Sequence, residues 1–555
     1  MGADGKLVLD AAGDVYQVNL LDKLLVPLLA KLGNLVVDGG IWLNTQRPEW
    51  NDANNALVGQ GVSMVTLYYM RRYVRFLQDL LAGEDRPIEL SAEVARWLTD
   101  TSAALARVRP LLGQGPISAS QRWQSMEDLG LAADRYRQSV YAEQPFSGKL
   151  QAQLGQVNDL LEGALAAIDH SIWNNRREHG VFNAYNLLDL KDGEAGVDAL
   201  YLMLEGQVAA LSSGAIAPDD AAALVEALFD SDIYRADQRS FMLYPDRPLP
   251  GFLEKNRIPA ASVDDIPLLR RMVEAGDDRI VSRDASGCYR FNADFRNFGD
   301  LEARLDALAG PYGDDVEASR APLRALYEAV FRHREFTGRS GTMFGFEGLG
   351  CIYWHMVSKL LLSIQENFFS ALEQGAGDAT CNRLGSLYYR VRQGIGFNKT
   401  PAEYGAFPTD PYSHTPGHGG ARQPGMTGQV KEEILSRFGE LGLRVADGQV
   451  RFEPGLLRAC EFTSGARQFR FVDVDGQWRT IEVPVSGLAF TWCQVPVVYR
   501  LRDGLPALTI TWKDGSTQVL PALSLPAEPS SELFRRSGQV RQISVEFPAQ
   551  ALLGS

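Results

Sequence analysis

Cysteine is scarce. Cys288, Cys351, Cys381, Cys460 and Cys493 are scattered through 555 residues, with no CxxC. An odd, dispersed set excludes a disulfide framework and a thiolate metal site. A reducing, cytoplasmic setting fits, with periplasmic export left open. Positive charge is also short: 55 Lys and Arg stand against 69 Asp and Glu, a net charge of -14. No basic cluster is dense enough to track a phosphate backbone, so nucleic acid is not an expected partner. Long apolar runs are missing too. Each is interrupted by charge, so no membrane span is expected, and the first residues lack the basic and apolar regions of a signal peptide. The glycine-rich stretch Gly338 to Gly350 has neither GxGxxG nor GxxxxGK[ST] and no strand before it, which argues against a nucleotide loop.

A chain this long is expected to form two or more domains or one large helical barrel. From residue 19 apolar residues recur at helical spacing in segments of roughly fifteen to twenty residues joined by short loops. No strands alternate with these helices, so a parallel sheet is not expected. Prolines and charges over 242–259 forbid a regular helix, and 230–300 reads as a functional loop or a crossover. Past Gly442 the period changes. Segments 471–474, 478–483, 490–499, 507–512 and 540–547 read as strands, with Asp475-Gly476 and Asp514-Gly515 as turns. The expected fold is therefore mainly α: a short lead (1–18), an (α/α)6 toroid (19–442) and a smaller C-terminal β-sandwich-like domain (443–555).

The densest polar chemistry lies between Asp38 and Thr66. Glu49, Trp50, Asn51 and Asp52 are consecutive, Asn54 and Asn55 follow, and Trp42 and Arg47 precede them. Indoles cover the apolar face of a pyranose while amides and carboxylates take its hydroxyls, and paired carboxylates are what glycosidic chemistry uses. The plainer reading is that Asp52 or Asn55 caps the next helix and Glu49 is solvated. Further candidate sugar contacts are Trp173 and Arg176 in the polar stretch 170–188, and His355 at the head of a strong helix. Glu347 is a third candidate carboxylate, as a neighbour to the acid or as a base. Residues 394–429 carry His414, His418, Arg422, Gln423, Thr427 and Gln429 among prolines and glycines. The two histidines are four apart in a loop rather than on a helix face, so no metal pair follows. Arg422 with Gln423, Thr427 and a glycine-rich backbone suits an oxyanion. The loops 38–61, 173–186, 338–355 and 397–429 are expected to line one cleft.

The run Glu49-Trp50-Asn51-Asp52-Ala53-Asn54-Asn55, then Gly61-Val62-Ser63-Met64, resembles a motif of glycoside hydrolase family 94, the cellobiose-type and related β-glucan phosphorylases. That motif reads D-W-N-D-x-x-N, then a glycine and an E-S-V-like helix start. The resemblance implies an (α/α)6 barrel fused to β-sandwich elements. It also implies an inverting reaction in which a carboxylic acid protonates the leaving oxygen while phosphate attacks. By position the acid falls on Glu49, one methylene longer than the family's Asp. Asp52 falls on the carboxylate that holds sugar hydroxyls. The loop holding His414, Arg422, Thr427 and Gln429 is like those that contact phosphate. The motif stands nearer the N-terminus than in the family, which implies a permuted barrel, a section of a larger polypeptide, or kinship at clan level.

Three functions follow as expectations: a hydrolase or transglycosylase on β-glucosidic linkages, an inorganic-phosphate-dependent β-glucan phosphorylase, or a non-catalytic sugar-binding section of a larger protein. No cofactor is expected beyond phosphate as co-substrate. The expected partners are a glucan or oligosaccharide, with further domains or a second copy of the chain.

Overall fold

The structure, a computed structural model, describes residues 8–44, 57–84, 86–142, 146–246, 250–332, 350–408, 410, 412–416, 419–424 and 427–554. The chain forms two compact units. One is Met1–Ile216 with Ala227–Arg235 and Phe241–Ile352; the other is Ala217–Glu226 with Ala236–Ser240 and Tyr353–Ser555. Seventeen α-helices lie among the described residues and sheets occur in both units, so the fold is mixed α and β. Among the described residues no helix is long and apolar enough to cross a membrane.

In the first unit, helices Leu20–Leu32, Met64–Leu80, Ala92–Val108, Ala119–Tyr141 and Leu154–Asn174 follow the helical periods. Their starts are written in the sequence. Asn19 accepts from the Asp22 amide, Ser63 from that of Thr66, and Ser118 forms a capping box with Gln121. Pro27 lies inside its helix, which runs on through it. Beside these helices lies a five-stranded antiparallel sheet, in the order Leu35–Val36, Gly40–Trp42, Gly61–Ser63, Tyr185–Lys191, Glu194–Ala199. Helical periodicity does not announce it. Three of its strands have two or three residues, too few to show a period of two, and Leu187, Leu188 and Leu190 mimic helix spacing in the fourth.

Residues 252–331 form a subdomain. Helices Pro267–Glu274, Phe298–Tyr312 and Asp314–Phe331 pack with the hairpin Val281–Arg283/Tyr289–Phe291. Leu268, Leu269, Met272, Leu301, Leu305 and Leu323 are buried in one cluster, whose members all fall between Ile258 and Phe331. The described part of the proline-rich entry carries one short helix, Phe252–Lys255, where none was expected, and the remainder folds around its own core.

In the second unit, helices Trp354–Glu373, Asp378–Arg392 and Thr427–Glu440 precede a five-stranded sheet ordered Gly487–Trp492, Val495–Leu501, Val540–Phe547, Ala507–Trp512, Thr517–Leu520. Its inner face, with Val497, Tyr499, Ile510, Ile543 and Val545, is buried. Two features differ from a simple run of strands joined by turns. Val495–Leu501 and Val540–Phe547 pair in parallel. The expected single strand 490–499 is two strands joined at Cys493 and Gln494, whose φ values are 48° and 66°. A primed turn normally announces itself with Asn or Gly, and here neither is present.

Candidate functional site

Glu49, with Arg47, Trp50, Asn51, Asp52, Asn54 and Asn55, lies outside the described residues, as do Glu347 and His418. The flanks of the motif are described. Strand Gly40–Trp42 leads towards it and strand Gly61–Ser63 leads away, paired antiparallel with Ile41 opposite Ser63 and Trp42 opposite Val62. Leu43 N donates to Gly61 O at 2.9 Å and Gly59 N to Leu43 O at 2.6 Å. Gly59 has φ +89°, and a Cβ on Gly61 would lie 2.4 Å from Leu57 Cβ. The turn and the close approach both require glycine. The described strands on either side of the motif are therefore neighbours, about 4.8 Å apart. Trp42 Nε1 donates to the Gly59 carbonyl at 3.1 Å. The rest of its indole lines an open groove of about 460 Å³ with Asn34, Asn44, Trp97, Tyr136 and Arg137.

Behind these strands lies a buried polar hub on Asp38. Its Oδ2 accepts from Ile117 N at 2.8 Å and from Arg122 Nη2 at 3.0 Å, and its Oδ1 from Asn174 Nδ2 at 2.7 Å. His170 Nδ1 accepts from Gly113 N, so Nε2 carries the proton that faces Asp38 Oδ1 at 3.0 Å. Asn175 donates to the Asp38 carbonyl and Asn186 to that of Gly39. The two polar concentrations at 38–44 and 170–186 thus meet. They do so mainly through buried amides that hold the backbone. Trp173, by contrast, is 42% exposed. It packs on Phe182, with Arg176 5.7 Å from its ring centre. Its neighbour Arg177 donates to Asn183 Oδ1 at 2.6 Å, and burial pulls that guanidinium below its ordinary value.

The second unit holds a different constellation. Tyr353 stacks with two imidazoles, His414 at 4.9 Å and 11° and His355 at 5.7 Å and 21°. His414 Nδ1 lies 2.8 Å from Ser413 Oγ. Strand Tyr412–Thr415 pairs with Gln423–Pro424, and Arg422 N donates to the His414 carbonyl at 3.2 Å. The Arg422 guanidinium lies flat on Gly419, where a Cβ would come within 2.8 Å of Nη2. Gly405 and Gly420 touch backbone to backbone, and Ala421 N donates to Tyr404 O at 2.9 Å, strapping the loop down. Burial pushes the Tyr404 phenol well above its ordinary value. His355, His414 and Arg422, separated by up to 67 positions in sequence, are therefore carried on one small framework. Gln423 falls on its second strand, and Thr427 and Gln429 fall on the helix Thr427–Glu440. Among the described residues no three His, Cys, Asp or Glu side chains gather as a metal site.

Residues 249–334 match the family model for GH149 phosphorylase insertion domain 2. The matched range coincides with the subdomain whose core closes between Ile258 and Phe331. No curated protein matches the chain. GH149 is a glycoside phosphorylase family, and the expected enzyme class, glycoside hydrolase or phosphorylase, agrees with that finding. The resemblance to family 94 is supported at the coarser level of a family-94-like, phosphorylase-related group.

Proposed function

We propose that the protein is a glycoside phosphorylase that cleaves β-glucosidic linkages of a glucan or oligosaccharide with inorganic phosphate as co-substrate. The observation that carries this reading is the match of 249–334 to a phosphorylase insertion domain. In this reading residues 19–442 build an (α/α)6 barrel and 443–555 the β portion. Glu49 is the general acid and Asp52 holds sugar hydroxyls. Trp42, Trp50 and the asparagines between 51 and 55 bind the sugar ring. Arg422 and His414, with Thr427 and Gln429, receive the phosphate. The Arg422 fork and the imidazole of His414 are donors of the kind a phosphate takes. All five cysteines are unpaired thiols, which supports a reducing compartment.

The test is turnover of β-glucan oligosaccharides with and without inorganic phosphate. Phosphate-dependent release of a sugar 1-phosphate with inverted anomeric configuration is expected. Equal release of reducing sugar without phosphate points instead to a hydrolase or transglycosylase, with Asp52 or Glu347 as base. Binding without any turnover points to a sugar-binding section of a larger protein.

A further inference from the structure

Lys399 lies in the polar stretch 394–429 but carries none of the roles assigned above. It is 6% exposed. Its Nζ donates to Gln238 Oε1 at 3.0 Å and lies 4.6 Å from the centre of the Trp354 ring. Gln238 is itself fixed, since its Nε2 donates to the Glu403 carbonyl at 2.8 Å. Trp354 is fully buried; its Nε1 donates to Thr415 Oγ1 at 2.9 Å and its ring meets Tyr404 edge-on at 5.4 Å. Trp354 sits in the chain between Tyr353 and His355, and Thr415 follows His414. The line ammonium, indole, hydroxyl therefore ends on both segments that carry the stacked rings.

An ammonium out of water acts over longer distances than one at the surface, because little solvent screens it. Its field reaches Glu403, whose carboxyl is held below its ordinary value chiefly by hydrogen bonds from Thr400, with smaller contributions from Arg239 and Lys399. A side chain needed only to fill the space beside Trp354 would avoid desolvating a charge.

We propose that Lys399 is a positioning residue for phosphate. It seats Trp354 against Thr415, which fixes the strand bearing His414, and it keeps a buried positive charge against the indole that holds that strand. This rests on the phosphorylase reading. The test uses the full chain and inorganic phosphate as the probe. Phosphate affinity is measured by isothermal titration at two salt concentrations, beside separate KM values for phosphate and oligosaccharide.

Lys399→Met, which keeps bulk and removes charge, is expected to weaken phosphate on the order of tenfold while the oligosaccharide KM stays unchanged. Lys399→Arg restores most of the loss. Thr415→Val, which cuts the link to Trp354 and keeps the charge, weakens phosphate less than Lys399→Met and covers the case in which that variant fails to fold. Unchanged phosphate affinity in Lys399→Met, or in Thr415→Val where Lys399→Met cannot be made, overturns the proposal. So does a parallel loss of both affinities that Lys399→Arg does not restore. A wild-type protein that degrades glucan yet neither binds nor needs phosphate overturns the phosphorylase reading first, and this proposal with it.

Discussion

Arg122 and Asp38 form an ion pair at 3.0 Å whose side chains are 8% and 5% exposed. The guanidinium also donates to the carbonyls of Val37, Ala195 and Ile117, so four of its five N–H groups are used. Removing one partner of such a pair leaves the other charge buried, at a cost of about 3–5 kcal/mol. Asp38→Asn should therefore lower the urea unfolding free energy by about that amount. Asp38→Asn with Arg122→Met should recover part of it. A change below 1 kcal/mol in the single variant would show that the hub is hydrated and slack.

Two glycines predict opposite signs. Gly61→Ala puts a methyl 2.4 Å from Leu57 Cβ and 2.9 Å from Leu57 O, so the strand that leaves the motif must shift. A loss of about 1–3 kcal/mol is expected, together with reduced turnover. Gly155, near the start of helix Leu154–Asn174, has open space around it. Gly155→Ala should stabilise by about 0.4–1 kcal/mol without touching activity. Thermal melts of the two variants beside wild type decide both.

The 249–334 segment should have an acid limb set by Asp277. Arg279 donates to its carboxylate and so does Tyr312 at 2.8 Å, holding the carboxyl below its usual range. A depressed carboxylate stabilises the fold above its unfolded pKa of about 3.9. That stability is lost as pH falls below this value towards the folded one. Asp277→Asn should melt lower than wild type at pH 7, and the gap should close as pH drops from 4 to 2. A gap that is constant with pH would show that the pair contributes shape and no linkage.

The acid assignment makes its own prediction. Glu49→Gln should lower turnover roughly 10²–10⁴-fold with substrate affinity nearly unchanged. A glycosyl fluoride, which needs little protonation, should rescue it far better than it rescues Asp52→Asn, which loses both binding and turnover. Near wild-type turnover in Glu49→Gln on unactivated glucan would move the acid to Asp52 or Glu347.

The long helices were legible because three of the most regular begin at a capping side chain the sequence displays, at Asn19, Ser63 and Ser118. Gly61 was legible as the glycine of the motif, and the structure adds why its position demands glycine. The N-terminal sheet was not legible, since its strands are short and their partners lie up to 126 positions apart, as Gly61 and Leu187 do. In the polar stretch 170–188 composition pointed to ligand contacts. Asn175 and Asn186 instead hold buried backbone, and Asn183 holds the Asn175 side chain; nothing local separates an asparagine that binds sugar from one that binds a carbonyl. Lys399 gave no signal, because a lysine in a polar loop reads as solvated until its burial beside Trp354 is seen.

Among the described residues, the cluster between Ile258 and Phe331 includes none from the sheet and helices before it. Substitutions inside it are therefore judged by their effect on its own packing, and those in the flanking chain by theirs. The two sets of positions are free to drift at different rates, and such a block can be inherited, exchanged or discarded as one heritable unit. Residues 249–334, which match the phosphorylase insertion-domain model, coincide with that block.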